Sequence, residues 1–151
     1  NAWARELSQD SSGNIYVNGE GASGDVYIVK ADSSGTLDTS WDSDGTAVFS
    51  PSGTANTAGD IFFVNGSLYW VFTRTISSQK QIGLAKINTN GSLDTSFGTG
   101  GYKYYPFPGG ISAEYMTSQI DSWNRLLIGL DLTPAGNRDW GLMRICLEPG
   151  D

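Results

Sequence analysis

The chain has 151 residues, with 20 glycines, 12% aromatic residues, 17% charged residues and a formal net charge of −7. Such a length supports one core of ordinary size, and the acidity argues against non-specific binding to nucleic acid or insertion at an anionic membrane, both of which need basic patches. Histidine is absent and Cys146 is the single cysteine, which excludes His-based triads, Cys–His pairs, His/Cys zinc centres and an internal disulfide.

Taken in chain order, Trp3 to Ser8 is the first strand candidate, turned by Asp10-Ser11-Ser12-Gly13. Asn14 to Asn18 alternates and is rich in β-formers. Glu20 to Gly24 is a hairpin loop, Asp25 to Ala31 a third strand, and Thr46 to Phe49 a fourth, closed by Pro51-Ser52-Gly53. A second unit follows the same plan. Asp60 to Val64 and Ser67 to Thr73 flank Asn65-Gly66, a dipeptide suited to the two positive φ angles of a type I′ turn. Ile82 to Ile87 and Tyr102 to Tyr105 complete it. A third unit offers Tyr115 to Ile120, Arg125 to Leu130 and Trp140 to Cys146, with Pro149-Gly150 breaking the last. No long helical apolar pattern survives the glycine and proline spacing. No apolar run approaches the ~20 residues that span a bilayer.

The units are related. Leu37-Asp38-Thr39-Ser40-Trp41 recurs as Leu93-Asp94-Thr95-Ser96-Phe97, a period of 93 − 37 = 56 residues. A fixed period of this size means stacked supersecondary units. Four short antiparallel strands per unit predict an all-β, β-propeller-like fold. One domain then holds about two and three-quarter repeats, at approximately residues 1–56, 57–112 and 113–151. Such a ring is incomplete in one chain. Ile15, Val17, Leu68, Trp70, Leu126 and Ile128 are expected to pack blade on blade, and Cys146 to be a small buried hydrophobe. In the repeated motif, the leucines with Trp41 and Phe97 are expected to anchor the third-to-fourth-strand crossover. Asp38 and Asp94 are expected to form Asx-turns.

The string KINTNGSLDTSFGTGG, with SLYWVF before it and QDSSGNIYVNG in the preceding unit, resembles the delta-60 repeat. Unit two carries the pattern closely. Unit one has Trp41 for the phenylalanine and Asp42-Ser43-Asp44-Gly45 for the G-x-G-G, and unit three lacks LDTSF. The resemblance implies a β-propeller-like protein of secreted or surface-attached bacterial origin. The family brings no catalytic residues to carry over.

In an up-and-down blade the loops joining strands two to three, and one blade to the next, share one end of the molecule. Those loops differ between units: Glu20 to Gly24, Ser50 to Asn56, Thr73 to Gln81, Pro106 to Ser112 and Asp131 to Asp139. Binding residues concentrate on variable loops held by a rigid scaffold. Arg74, Lys80, Tyr105, Phe107, Asn137, Arg138 and Asp139 are therefore the ligand-binding candidates, a mix of rings, amide and charges that suits a glycan or a protein surface. Asp42 and Asp44 echo the start of a calcium loop but lack its later glutamate, so they are weak metal candidates. No cofactor is expected. Glu20, Asp131 and Asp139 are the carboxylates a glycoside hydrolase would have to pair.

The expected function is a non-catalytic extracellular binding or adhesion module of a bacterial surface or fibre protein. It would self-associate as a dimer or trimer, or form part of a longer chain. A structural array that displays other domains is the alternative, and a glycosidase-like propeller a more distant one. An exposed aromatic patch at the variable-loop end favours binding; a uniformly polar end favours the array.

Overall fold

The computed structural model describes residues 3–21, 24–52, 54–134 and 137–147, with the side chains of residues 54–56 excepted. Ala22, Ser23, Gly53, Ala135, Gly136 and Pro149-Gly150, assigned above to loops and a strand end, lie outside the described residues. Sheet one contains β1 (Trp3–Gln9), β2 (Ile15–Glu20), β3 (Val26–Ala31) and β4 (Thr46–Phe49) in chain order. Sheet two contains β5 (Thr54–Val64), β6 (Ser67–Ile76), β7 (Gln79–Ile87) and β8 (Tyr102–Tyr105), also in chain order. Sheet three contains β9 (Ser112–Ile120), β10 (Arg125–Thr133) and β11 (Asp139–Cys146), with β10 central. All pairings are antiparallel. Among the described residues there is no α-helix, only the single 3-10 turns Trp41–Ser43 and Pro108–Gly110. The ring does not close within the chain.

The stacking is legible in one strand. Successive β6 side chains point to opposite faces, as the period of a strand requires. Leu68, Trp70 and Phe72 pack in one cluster with Tyr16, Val26, Ile28, Trp41 and Phe49 of sheet one. Tyr69 and Val71 pack in a second cluster with Leu126, Ile128 and Leu130 of sheet three. Sheet two is thus covered on both faces and sheets one and three on one face each. Burying each such side chain contributes about 1.5–3 kcal/mol, so the central blade carries the largest share of the hydrophobic stabilisation. Trp70 also stacks on Phe72 at 4.3 Å between ring centroids. Where Phe72 lies over the ladder, Gly83 leaves room: a Cβ there would stand 2.3 Å from the ring.

The repeated motif behaves as a fold device in both units. Asp38 Oδ1 accepts from the Ser40 N–H, and Asp94 Oδ1 from the Ser96 N–H, each at 3.1 Å. These are the expected Asx-turns. Trp41 meets Tyr16 edge to face at 5.8 Å, and Phe97 meets Tyr69 the same way at 5.9 Å. Leu93 packs on the first cluster, whereas Leu37 is exposed, because no sheet stands outside sheet one to receive it.

Other expectations need correction. β5 begins at Thr54, not Asp60, because two register shifts, at Thr54/Thr57 and Ala58/Ile61, break the alternation of its sequence. β6 and β7 continue to a two-residue turn at Ser77-Ser78, with φ of 49° and 66°, where a long loop was expected. Ile15 and Val17 are half-buried on the outer face of sheet one, without a facing sheet. Cys146 is exposed, since it pairs with Arg125 on the outer face of sheet three while Ile145 turns inward.

Candidate functional site

At the end where the loops vary, the side chains are engaged with one another. Arg74 sits in β6 opposite Gln81, its guanidinium 3.3 Å above the Tyr104 ring. Its Nη1 donates to Ser52 Oγ at 2.8 Å and its Nη2 to Gln81 Oε1 at 3.0 Å. Lys80, in β7, pairs with Glu114 of sheet three at 2.5 Å. Glu114 is the ladder partner of Asp131, and Asp131 pairs with Arg138. The Arg138 guanidinium holds the Asp131 carboxyl below the usual carboxylate range. Lys80, Glu114, Asp131 and Arg138 therefore form one array across the seam between sheets two and three, two adjacent carboxylates flanked by two cations.

Of the seven candidates, Lys80 and Arg138 join this array, and Arg74 sits apart under Ser52. Arg74, Lys80 and Asp139 are strand residues and not loop residues, because the tight Ser77-Ser78 turn and the length of β10 and β11 absorb the expected loops, while Tyr105 ends β8, the strand the sequence indicated. Tyr105 and Phe107 pack on the second cluster. Burial pushes the Tyr105 phenol up to about 12. The Asn137 N–H donates to the Pro134 carbonyl at 3.0 Å, and Asp139 Oδ1 accepts from the Trp140 N–H at 2.8 Å. Around these charges Tyr105 and Phe107 are tucked beneath, while Trp140, next to Asp139, is exposed.

Glu20 is buried between sheets one and two, where Oε1 accepts from the Ala58 N–H at 2.6 Å and Oε2 from Arg5 at 3.0 Å. Asp131 and Asp139 belong to adjacent ladder pairs, Asp131 opposite Trp140 and Asp139 opposite Leu132, so they lie on opposite faces of the sheet. Asp44 Oδ1 accepts from the Thr46 N–H at 2.8 Å, and the Asp42 N–H donates to the Asn90 carbonyl at 3.0 Å. Among the described residues no three acidic or cysteine side chains gather around either aspartate.

Two clefts open at the other end of the molecule, and a third concavity lies along β1, β5 and β9, lined by Arg5, Thr57, Asp60 and Tyr115. A cleft of about 550 Å³ between sheets one and two is lined by Asp10, Ser12, Tyr16, Lys30 and Asn65. A second, of about 370 Å³ between sheets two and three, is lined by Asn65, Tyr69, Lys86, Asp94, Phe97 and Lys103. Each cleft offers a tyrosine, a lysine and a carboxylate. Lys30 reaches Asp38 at 2.7 Å and Lys86 reaches Asp94 at 2.9 Å. The Lys30 bond first, then the Ser40 hydroxyl, lowers Asp38 to about 2; Ser96, then Lys86, does the same for Asp94. Hydrogen bonds from Asn14 and the backbone outweigh desolvation and lower Asp10. All three are acceptors held ionised. Loop variability gives no sign of these lysines. A signal was present: each stands eight residues before its aspartate, 38 − 30 and 94 − 86.

Residues 71–97 match the family model of a β-propeller domain of unknown function (DUF5122). The repeat is of the β-propeller type. The matched stretch runs from Val71 in β6 through β7 to Phe97, so it spans a central hairpin and the motif crossover of the propeller unit. No curated protein matches this chain.

Proposed function

We propose that the chain is a non-catalytic binding module of the delta-60 repeat type, from a secreted or surface-attached bacterial protein. Its ligand, a glycan or a glycan-like protein surface, is taken at the end that carries the two clefts. The supporting observation is a partial repetition: Tyr16 and Lys30 line one and their counterparts Tyr69 and Lys86 the other, each beside a carboxylate from a different position, Asp10 and Asp94. A polymer of repeating units meets a tyrosine, a lysine and a carboxylate at each seam, and two weak contacts on one strand gain from effective concentration. Rings with fixed polar neighbours suit sugar recognition. The lowered carboxylates support a non-catalytic reading, because a glycosidase needs a general acid with a raised pKa.

A second reading, a structural array that displays other domains, is favoured by the variable-loop end, whose charges are spent on one another. A glycan array separates the two. The expected result is one bound glycan class, with signal cut at least about tenfold by Lys103→Glu or Ser12→Glu and unchanged by Lys80→Ala with Arg138→Ala. The reverse pattern moves recognition to the variable-loop end. Binding of no glycan by the folded protein leaves the array.

A further inference from the structure

Equivalent positions in the three sheets can be matched through their ladders. Lys30 lies opposite Tyr16, Lys86 opposite Tyr69 and Arg144 opposite Leu127. The match makes Val26 and Ile28, then Ile82 and Leu84, then Trp140 and Leu142 successive versions of the same two positions. They lie on the face that each sheet turns to the next. Val26, Ile28, Ile82 and Leu84 are all 0% exposed, beneath the following sheet. Trp140 is 83% exposed and Leu142 70%.

The opposite face repeats the pattern in reverse. Leu68, Trp70 and Ala85 of sheet two are buried against sheet one. Their counterparts Ile15, Val17 and Val29 look outward from sheet one, as does Val48, the counterpart of Tyr104. None of the residues that ladder pairing places on this outer face is charged. An antiparallel sheet facing water ordinarily carries polar residues there, and a contiguous apolar face of this kind marks an interaction surface.

We propose that the outer face of sheet three docks on the outer face of sheet one in a second copy of this chain. The second copy returns the contact, closing a ring of six sheets. The contact continues one the chain already makes twice, between sheets one and two and between sheets two and three. Each seam joins unlike faces, but the second copy returns the contact, so the two copies are related by a two-fold axis and the ring closes at two chains. Six sheets fall inside the ~4–8 blades of known propellers. The proposal does not depend on any ligand.

Sedimentation equilibrium at high micromolar concentration tests it, with Val48→Lys on one face and Leu142→Lys on the other. Both sites are exposed, so the variants should keep the wild-type thermal midpoint, which is checked first. The wild type is expected to be a dimer, and each variant to dimerise at least about a hundredfold more weakly, since a lysine would be buried unpaired. An equimolar mixture should form heterodimers that neither variant forms alone, through the one interface left intact. A monomeric wild type would overturn the proposal and leave these faces to sheets other than those of a second copy. Disruption by Leu142→Lys but not Val48→Lys would overturn it in favour of like-face pairing, and so would a mixture that restores nothing.

Discussion

Asp38 and Asp94 each serve two neighbours. One oxygen holds the turn through the N–H two residues on, and the other faces the lysine that lies across the strand end. Both carboxyls fall from 3.8 to about 2 in the folded chain. A lowered carboxylate pKa contributes stability that is present above the unfolded value and lost as pH falls through the folded one. Thermal unfolding followed by circular dichroism should therefore show a midpoint that holds down to about pH 4 and drops steeply between about 4 and 2. Asp10, Asp32, Asp121 and Asp131 shift in the same direction and add to the drop. The double variant Asp38→Asn, Asp94→Asn keeps an acceptor for the turn but not the charge. Its midpoint should be lower at neutral pH and its acid slope shallower; an unchanged slope would mean that the motif aspartates do not couple to folding. The turn role could be read from the sequence, because an Asx-turn is local. The lysine pairing could not be read from one unit, and emerges only when both units are compared.

At the scale of elements, the turn Ser77-Ser78 shows where sequence reading stops. Asn65-Gly66 and Ser77-Ser78 both take two positive φ angles. Only the first advertises it, because asparagine and glycine tolerate that region while serine does so at a cost. The ladder nevertheless runs from Leu68 opposite Ile87 to Ile76 opposite Gln79, so packing of β6 and β7 sets the turn and the serines comply. Installing an Asn-Gly turn here with the double variant Ser77→Asn, Ser78→Gly should raise stability by about 1–2 kcal/mol. Denaturant titration at neutral pH measures it, and a loss of stability would show that the serines make a contribution their backbone angles conceal. The same mismatch explains why Arg74 and Lys80 read as loop residues in the sequence. Strand existence was legible from alternation and strand length was not, since β5 hides two register shifts and the β6–β7 turn lacks its usual residues.

For the whole molecule, the 56-residue recurrence in the sequence already implied sheets laid face on face, because no single blade covers both its faces. What lay beyond reach was the distribution of charges at the ends: Lys80 and Glu114 are 34 residues apart and belong to different sheets, so no local pattern announces their pairing. The stacking itself makes a prediction about cooperativity. β6 has both faces buried and a paired strand on each side, and β7 shares that position. β1 and β4 are the edges of a sheet covered on one face, and β11 is an edge strand with exposed Trp140, Leu142 and Cys146. Amide exchange reports the free energy of the smallest opening that frees each N–H. Opening β6 requires both apolar clusters to break, whereas opening β11 breaks one ladder and part of one cluster. Amides of Trp70 to Phe72 should therefore exchange at least about a hundredfold more slowly than those of Gly141 to Met143, a gap of about 2.7 kcal/mol. If the two sets exchanged at one rate, the three sheets would open as a single unit. The central blade would then be no more stable than the flanking blades it supports.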